Sequence, residues 1–223
     1  MTQPVLELKN VSKTFGTKIN PVEALKPCCV KIYPSEKIGI YGASGAGKST
    51  LLNILGLAET PTTGEILINQ HVIDHTNEEL LVKHRRESLG YLFQYFNLIP
   101  TMTAIQNACF PLLLNNYKWE QASQIATDLL TAVGLKDRIN HKATQLSGGE
   151  MQRVGLVRAI IHQPKIILAD EPTGNLDSKN GAQVIDLLHN SLPKQTAVVI
   201  VSHSQTVLKN CPRLISIVDG TVS

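Results

Sequence analysis

Nine consecutive residues near the start of the chain, GASGAGKST, have small side chains apart from one lysine, and they are too small to build a core. They fit the pattern G-x-x-x-x-G-K-[ST], in which backbone N–H groups cradle phosphate oxygens. In that pattern the lysine lies near the β and γ phosphates, and the following hydroxyl can ligate Mg²⁺. A predicted strand, EKIGIYG, precedes the loop, and the helix after it points its positive dipole end at the anion. The predicted phosphate-binding residues are Gly42, Ala43, Ser44, Gly45, Ala46, Gly47, Lys48, Ser49 and Thr50.

Two carboxylates follow a short apolar stretch, IILADE, in the second half of the chain. The apolar residues predict a buried strand that delivers Asp170 and Glu171 to its carboxyl end, where open α/β sheets bind ligands. One carboxylate can hold Mg²⁺, and the other can orient or deprotonate an attacking water. Acidic residues in this position can also be ordinary loop residues. The phosphate-binding pattern earlier in the chain favours the site.

The stretch LSGGE, Leu146 to Glu150, has two interpretations. Ser147 and Glu150 form an S-x-x-E capping box, which predicts a helix start. The box does not account for Gly148 and Gly149, because glycine is a poor helix former. Two glycines beside a serine at a helix N-terminus also suit a second anion site. The residues alone leave both interpretations open.

Two single polar residues stand at the ends of apolar segments. Gln94 ends YLFQ, and His203 ends AVVIVSH. Isolated residues of these types are usually structural. Their positions, at what we expect to be the ligand-binding edge of a sheet, make both of them candidates for the site.

The elements that must position these residues alternate between strands and helices. VLELKNVSKTF and VKIYP predict short antiparallel strands, and residues from about 78 to 162 read mostly as helices. Apolar Val/Ile runs alternating with helices then indicate a parallel sheet covered on both faces. We therefore expect an α/β fold in a single domain. Its β-rich and α/β core covers about 1–94 and 163–223, and a helical subdomain covers about 95–162.

The charge and composition of the chain limit the kinds of partner that it can bind. The net charge of +3 and the lack of a basic stripe argue against nucleic acid, because Lys83 to Arg86 is a short run typical of a solvated helix face. No apolar run approaches the about 20 residues of a membrane span, and no signal peptide is evident. We expect a soluble, cytosolic chain whose membrane role, if any, comes from a partner. The four cysteines lack metal or disulfide spacing, which predicts buried free thiols.

Taken together, GASGAGKST, Gln94, LSGGEMQR, IILADEP, NLD and His203 resemble the ATP-binding-cassette ATPases in order and approximate spacing. The resemblance covers essentially the whole chain. It implies a P-loop NTPase core of ABC ATPase type, with an antiparallel β subdomain and a helical signature subdomain. It also implies ATP and Mg²⁺ as ligands, and an enzyme that hydrolyses ATP.

The resemblance implies a role for each motif residue. Asp170, Ser49 and Gln94 would serve the metal, Glu171 would be the general base, His203 the switch histidine, and Phe15 the residue that stacks on adenine. Lys48 would contact the phosphates during catalysis. Ser147, Gly148, Gly149 and Glu150 would belong to the signature that meets the γ-phosphate of a second copy, with Asp177 near the dimer interface. Glu150 replaces a commoner glutamine, and Ser204 replaces the usual aspartate after the switch histidine.

A closer resemblance, in FNLIPTMTAIQNACFPLLL and ADEPTGNLDSKNG, is to stand-alone ATPases of the macrolide-exporter and lipoprotein-releasing type. It implies a homodimer that drives an integral membrane permease subunit from the cytoplasmic face of the inner membrane, where the chain would be peripheral. Residues 95–119 would hold the partner-docking groove, with Phe96, Leu98 and Ile99 as candidates, although these residues also suit an ordinary core. Regulation of cell-wall or division machinery, a soluble non-transport ATPase and a non-hydrolysing phosphate module are the alternatives. Substrate and direction of transport do not follow from the sequence.

Overall fold

The computed structural model describes residues 2–17, 19–190 and 192–223, and in that part of the chain strands and helices alternate. The strands are β1 (Leu6–Gly16), β2 (Pro21–Ile32), β3 (Lys37–Gly42), β4 (Thr63–Ile68), β5 (His71–Val72), β6 (Leu89–Leu92), β7 (Ile166–Asp170), β8 (Ala197–Val201), β9 (Arg213–Val218) and β10 (Thr221–Val222). The helices are α1 (Lys48–Leu55), α2 (Glu78–Ser88), α3 (Ala104–Leu114), α4 (Trp119–Ala132), α5 (Gly148–Ile160), α6 (Ser178–Asn190) and α7 (Gln205–Leu208). The described chain forms two compact units, Met1–Arg85 with Ala197–Ser223, and Arg86–Thr196.

The first unit begins with an antiparallel sheet in the order β2-β1-β4-β5. Leu6 pairs with Ile32 on one side and with Ile68 on the other, and all three side chains are buried. Pro27 lies within β2 between Leu25 and Cys28, where the pairing of β2 with β1 shifts register, and a proline is tolerated at such an irregularity.

A second sheet of the same unit contains β9, β3 and β8 as parallel neighbours, with β10 antiparallel to β9. Ile40 pairs with Val201 on one side and Ile215 on the other. All five residues of β8 are buried, as expected for an apolar strand inside a parallel sheet. The predicted α/β architecture with a parallel sheet is confirmed in this unit.

The second unit combines the parallel pair β6 and β7 with four helices, α3 to α6. Helices α3, α4 and α5 share a buried cluster that includes Cys109, Ala126, Leu130 and Val154. Helix α4 buries Ala122, Ala126 and Leu130, and Gly134 follows the helix with φ of 77°, a backbone conformation that favours glycine after a helix end. The division of the chain near residues 95 and 162 stays a prediction.

Three features differ from the sequence expectations. Strand β2 begins at Pro21, well before the predicted VKIYP, because its first half pairs with the end of β1 despite being mostly exposed. Strand β6 interrupts the stretch expected to be mostly helical. Cys29 is exposed, contrary to the prediction of buried thiols, since adjacent residues of a strand face opposite sides and Cys28 takes the buried one.

None of the helices in the described residues combines the length and the apolar character needed to cross a membrane.

Candidate functional site

The loop between β3 and α1 is shaped by glycines. Gly42, Gly45 and Gly47 have φ of 155°, 78° and 108°, in or near the region that other residues avoid. A Cβ on Gly47 would lie 2.3 Å from the carbonyl oxygen of Ala24, and one on Gly42 would lie 2.2 Å from that of Ile217. Close backbone approach therefore excludes side chains at two of the three positions.

Lys48 reaches back across this loop. Its side chain is buried, and Nζ donates hydrogen bonds to the carbonyl oxygens of Gly42 at 3.0 Å and Ala43 at 2.7 Å. Helix α1 begins at Lys48 after left-handed Gly47, with no side-chain cap and no acidic residue in its first turn. The helix thus presents an uncapped N-terminus and a lysine ammonium at the same place, the arrangement that suits an anion.

His203 belongs to the same sheet edge as this loop. Val201 is paired with Ile40, so His203 and Gly42 each lie two residues beyond a paired position on neighbouring parallel strands. His203 is exposed, and the loop around it is ordered by a bond from the amide of Ser204 to Oγ of Ser202.

Phe15 lies on β1 and pairs with Val22 of β2. Val22 is two residues before Ala24, whose carbonyl oxygen lies close to Gly47. Its ring is partly exposed, and Nζ of Lys13 lies 4.9 Å from the ring centroid. A cation over one face leaves the aromatic side chain suited to stacking through its other face.

Gln94, Asp170 and Glu171 share an edge in the second unit. Leu92 pairs with Ala169, so Gln94 and Glu171 each follow that pair by two residues. Glu171 has φ of 42°, an uncommon conformation for a residue with a side chain. The side chain of Gln94 lies beside Gly174, where an added Cβ would be 3.0 Å from Nε2 of Gln94.

The predicted helix start at Ser147 is confirmed. Ser147 is the N-cap of α5, its Oγ accepts a bond from the amide of Glu150, and Glu150 Oε2 accepts one from the amide of Ser147 at 2.8 Å. This last bond is the main reason that the pKa of Glu150 is below its usual value, and Arg138 lowers it further through Oε1.

The two glycines of this turn have different surroundings. A Cβ on Gly149 would lie 2.5 Å from Oδ1 of Asn180, so close packing against α6 explains this glycine. A Cβ on Gly148 would meet nothing closer than 3.6 Å, the ring of Phe96. Packing therefore gives no reason for glycine at position 148.

Asp177 is the other motif residue of this unit with a clear local role. Its Oδ1 accepts bonds from the amides of Lys179 and Asn180, and its Oδ2 accepts one from Nδ2 of Asn180. The hydrogen bonds of Asn180 are the first cause of the lowered pKa of Asp177. The carboxylate therefore orders the first turn of α6.

The segment expected to dock a partner is mixed in character. Phe96, Leu98 and Ile99 are half-buried, and Leu98 packs against the core of the helices. The more exposed apolar residues nearby are Tyr95, Phe110, Leu114, Tyr117 and Trp119.

Comparisons with known proteins agree with this arrangement. Residues 25–174 match the model of the ABC transporter family. The chain belongs to the ABC transporter family. It is 38% identical, over 98% of each chain, to the lipoprotein-releasing system ATP-binding protein LolD of Syntrophus aciditrophicus. It is also 38% identical to the macrolide export ATP-binding/permease protein MacB of Bdellovibrio bacteriovorus, over 98% of this chain and 33% of MacB, so it spans about a third of that relative.

A solved structure of the ATP-binding cassette MJ0796 superposes on this ABC-type ATPase with a TM-score of 0.88, at 38% identity, over 98% of this chain and 97% of the other. That structure is a dimer in a post-hydrolysis state bound to ADP and Pi. The predicted fold class and the prediction of an enzyme that binds and hydrolyses ATP are confirmed.

Sequence reasoning assigned no role to several residues that hold the ABC ATPase's motif segments in place. Gln152 is fully buried in α5 and donates to two backbone carbonyls. Asn180 fills the space above Gly149. The signal for Gln152 was its spacing from Gly155 and Leu156, which places it on the buried face of the helix.

Proposed function

We propose that the ABC ATPase holds the phosphates of ATP in the loop Gly42–Thr50, with Lys48 as the phosphate-contacting cation. The observation that carries this proposal is the uncapped start of α1 after a left-handed glycine turn, with the ammonium of Lys48 bonded to two carbonyl oxygens of the loop. A phosphate oxygen is a stronger acceptor for that ammonium than a neutral carbonyl, so ATP displaces these bonds. Phe15 then stacks on adenine through the face opposite Lys13.

Mg²⁺ fits the side chains available. Ser49 offers a hydroxyl in the first turn of α1, and Asp170 and Gln94 offer oxygens at the edge formed by β7 and β6. Oxygen donors of this kind are those that Mg²⁺ prefers, and we propose these three as its ligands. When bound, Mg²⁺ neutralises phosphate charge during transfer.

For hydrolysis we propose Glu171 as the base that orients and deprotonates water, and His203 as the residue that senses the γ-phosphate. Glu171 is suited to this role because the turn that carries it is fixed: the amide of Gly174 donates to the carbonyl of Glu171 at 3.0 Å. A fixed turn keeps the backbone that carries the carboxylate in place, which reduces the reorganisation needed at the moment of reaction.

A second copy completes the proposed reaction. Ser147, Gly148, Gly149 and Glu150 form a helix start with little side chain, and we propose that it covers the γ-phosphate bound by the other copy, with Asp177 ordering α6 beside it. The dimer with ADP and Pi formed by the similar cassette supports this assembly. Closing with ATP and opening after hydrolysis would then be the mechanical output.

We propose that the closing and opening of the dimer move an integral membrane permease subunit. The support is that relatives carry the names of a lipoprotein-releasing system and of a combined ATP-binding/permease protein. We place the ATPase as a peripheral homodimer at the cytoplasmic face of the inner membrane, with residues 95–119 toward the permease, and expect no nucleic-acid partner.

The hydrolysis proposal is tested with purified protein. Wild-type protein should release phosphate from Mg-ATP, Lys48→Ala should lose ATP binding, and Glu171→Gln should bind ATP but lose at least about 100-fold in kcat, a common effect of removing a catalytic base. Turnover by Glu171→Gln at the wild-type rate would refute the role of Glu171.

The partner proposal needs a separate experiment. Tagged Glu171→Gln protein, held with ATP and Mg²⁺, is used to capture proteins from native membranes. A co-purifying membrane-spanning permease supports the proposal. A soluble or nucleic-acid partner, or a membrane regulator of cell-wall enzymes without a permease, contradicts it.

A further inference from the structure

Gln152 is buried in the middle of α5, where an amide is not expected. None of its surface is exposed, and its helical neighbours Gly155 and Leu156 on the same face are buried as well. Among the described residues no donor reaches its Oε1. Burying a polar group without a full set of hydrogen bonds is unfavourable, so an apolar side chain of the same size would suit a purely structural position better.

Both hydrogens of the Gln152 amide are used. Nε2 donates to the carbonyl oxygen of Phe93 at 3.2 Å and to that of Pro172 at 2.8 Å. Phe93 immediately precedes Gln94, and Pro172 immediately follows Glu171. One side chain thus joins the backbone next to a proposed metal ligand to the backbone next to the proposed base.

The two joined segments have backbone conformations that need support. In the Gln94 segment, residues 93–97, Phe96 and Asn97 have φ of 59° and 47°. In the Glu171 turn, residues 171–177, Glu171 itself has φ of 42°. Residues with side chains keep such conformations only where surrounding contacts determine them.

Other side chains hold the Gln94 segment from the same two elements. Arg158, six residues after Gln152 on α5, donates to the carbonyl oxygens of Phe96 and Asn97. Asn175 donates through Nδ2 to the carbonyl oxygen of Gln94 at 2.9 Å. The carbonyls of four of the five residues in the segment are therefore held by side chains. Asn175 does so from within the Glu171 turn, and Gln152 bonds from α5 to both the segment and the turn.

From this we infer that Gln152 is a positioning residue for hydrolysis: its amide fixes the separation of Gln94 and Glu171 and ties both to the signature helix α5. The inference rests on the proposed function, because it assumes the roles given to Gln94 and Glu171. Gln152 touches no reacting atom, so its removal should misplace the two residues without removing either. ATP affinity depends on the separate phosphate loop and should not change.

The test replaces the amide by an apolar side chain of similar length, Gln152→Met, in the full chain. We expect kcat for ATP hydrolysis to fall about 10- to 100-fold, since small displacements of positioned groups have effects of this size. KM and the dissociation constant for a fluorescent ATP analogue should stay within about twofold. Val157→Ala, which truncates another fully buried side chain of α5, is the control for general loosening and should keep kcat.

A double-mutant cycle separates positioning from a general effect. Gln152→Met should reduce kcat by a smaller factor in a Gln94→Ala background than in the wild type, because part of what it positions is already gone. Equal factors in both backgrounds would overturn the inference. A Gln152→Met protein that keeps wild-type kcat would also overturn it.

If Gln152→Met does not fold, Asn175→Ala tests the same idea at an exposed position. A fall in kcat at unchanged ATP affinity supports the positioning of Gln94 by side-chain bonds to its backbone, and an unchanged kcat contradicts it. The proposed function fails in a different way: wild-type protein would show no hydrolysis, or Glu171→Gln would retain it.

Discussion

The protein contains two glycine-rich helix starts, one in each compact unit, and they are built on different principles. At α1 the chain enters through left-handed Gly47, no side chain caps the helix, and Lys48 lies over the loop. At α5 the chain enters in an extended conformation, and Ser147 and Glu150 cap each other. The start of α1 leaves its free N–H groups and positive dipole end available to a ligand. The start of α5 satisfies some of its N–H groups with its own capping side chains.

This difference indicates how each start can bind phosphate. The α1 loop offers amides and a fixed ammonium, which supports the proposal that it holds ATP by itself. The α5 start has a carboxylate at its cap and no lysine in its first turn, and it suits a phosphate already held elsewhere. In the α1 loop the backbone conformation requires glycine. In α5 close packing against Asn180 requires glycine at position 149.

The largest expected effect is at Gly47. Gly47→Ala combines φ of 108° with a Cβ 2.3 Å from a backbone oxygen, and we expect a loss of about 2–4 kcal/mol in unfolding free energy together with loss of ATP binding. Gly45→Ala is the matched control, since its Cβ meets nothing within 4 Å, and it should lose only about 1 kcal/mol. Urea unfolding and ATP titration measure both. Equal losses would show that strain alone, not contact, governs the loop.

Gly149 should come next. Gly149→Ala places a Cβ 2.5 Å from an Asn180 side chain that Asp177 and Arg153 also hold, so we expect about 1–3 kcal/mol of destabilisation. Thermal unfolding in the absence of nucleotide is the measurement. A neutral result would mean that Asn180 moves aside freely.

Gly148 lies in the same turn as Gly149 but is not closely packed. Gly148→Ala has room for its Cβ and should be neutral or up to about 1 kcal/mol more stable, because alanine favours helices. It should nevertheless weaken ATP-dependent dimerisation, if this surface approaches the other copy. Normal dimerisation of Gly148→Ala would argue against the proposed role of the turn.

The capping boxes of α5 and α3 can be compared, because α3 serves as a control for the loss of a cap. Ser147→Ala and Thr103→Ala each remove a capping box, on α5 and α3 respectively, and each should lose about 1 kcal/mol. Only Ser147→Ala should also weaken the ATP-dependent dimer. If both variants weakened it equally, the effect would come from stability and not from contact with phosphate.

The smallest effect concerns the charge of Glu150. Because its pKa is lowered in the folded protein, its ionised form adds stability above its unfolded value of 4.5, and this is lost as pH falls through the folded pKa. Glu150→Gln should therefore be less stable than wild type by about 0.5 kcal/mol at pH 7, with the difference vanishing at acidic pH. A difference in Tm that does not change with pH would assign the effect to shape instead.

The sequence predicted well those features that local chemistry decides. The turn between β3 and α1 follows from its glycines, and the start of α5 from Ser147 and Glu150, because each depends on residues a few positions apart. Strand β6 was missed because four residues between helices carry too little periodicity, and its pairing with β7 is a long-range contact. The same holds for Gln152 and Asn180, whose roles depend on partners 20 or more residues away in the chain.

The central claim is that two copies of this ATPase close on ATP and open after hydrolysis. The most direct test measures the mass of Glu171→Gln in solution by light scattering, without nucleotide, with Mg-ATP and with Mg-ADP. We expect a monomer without nucleotide or with ADP and a dimer with ATP. A protein that stays monomeric with saturating ATP, while binding it, would contradict ATP-driven closure of two copies.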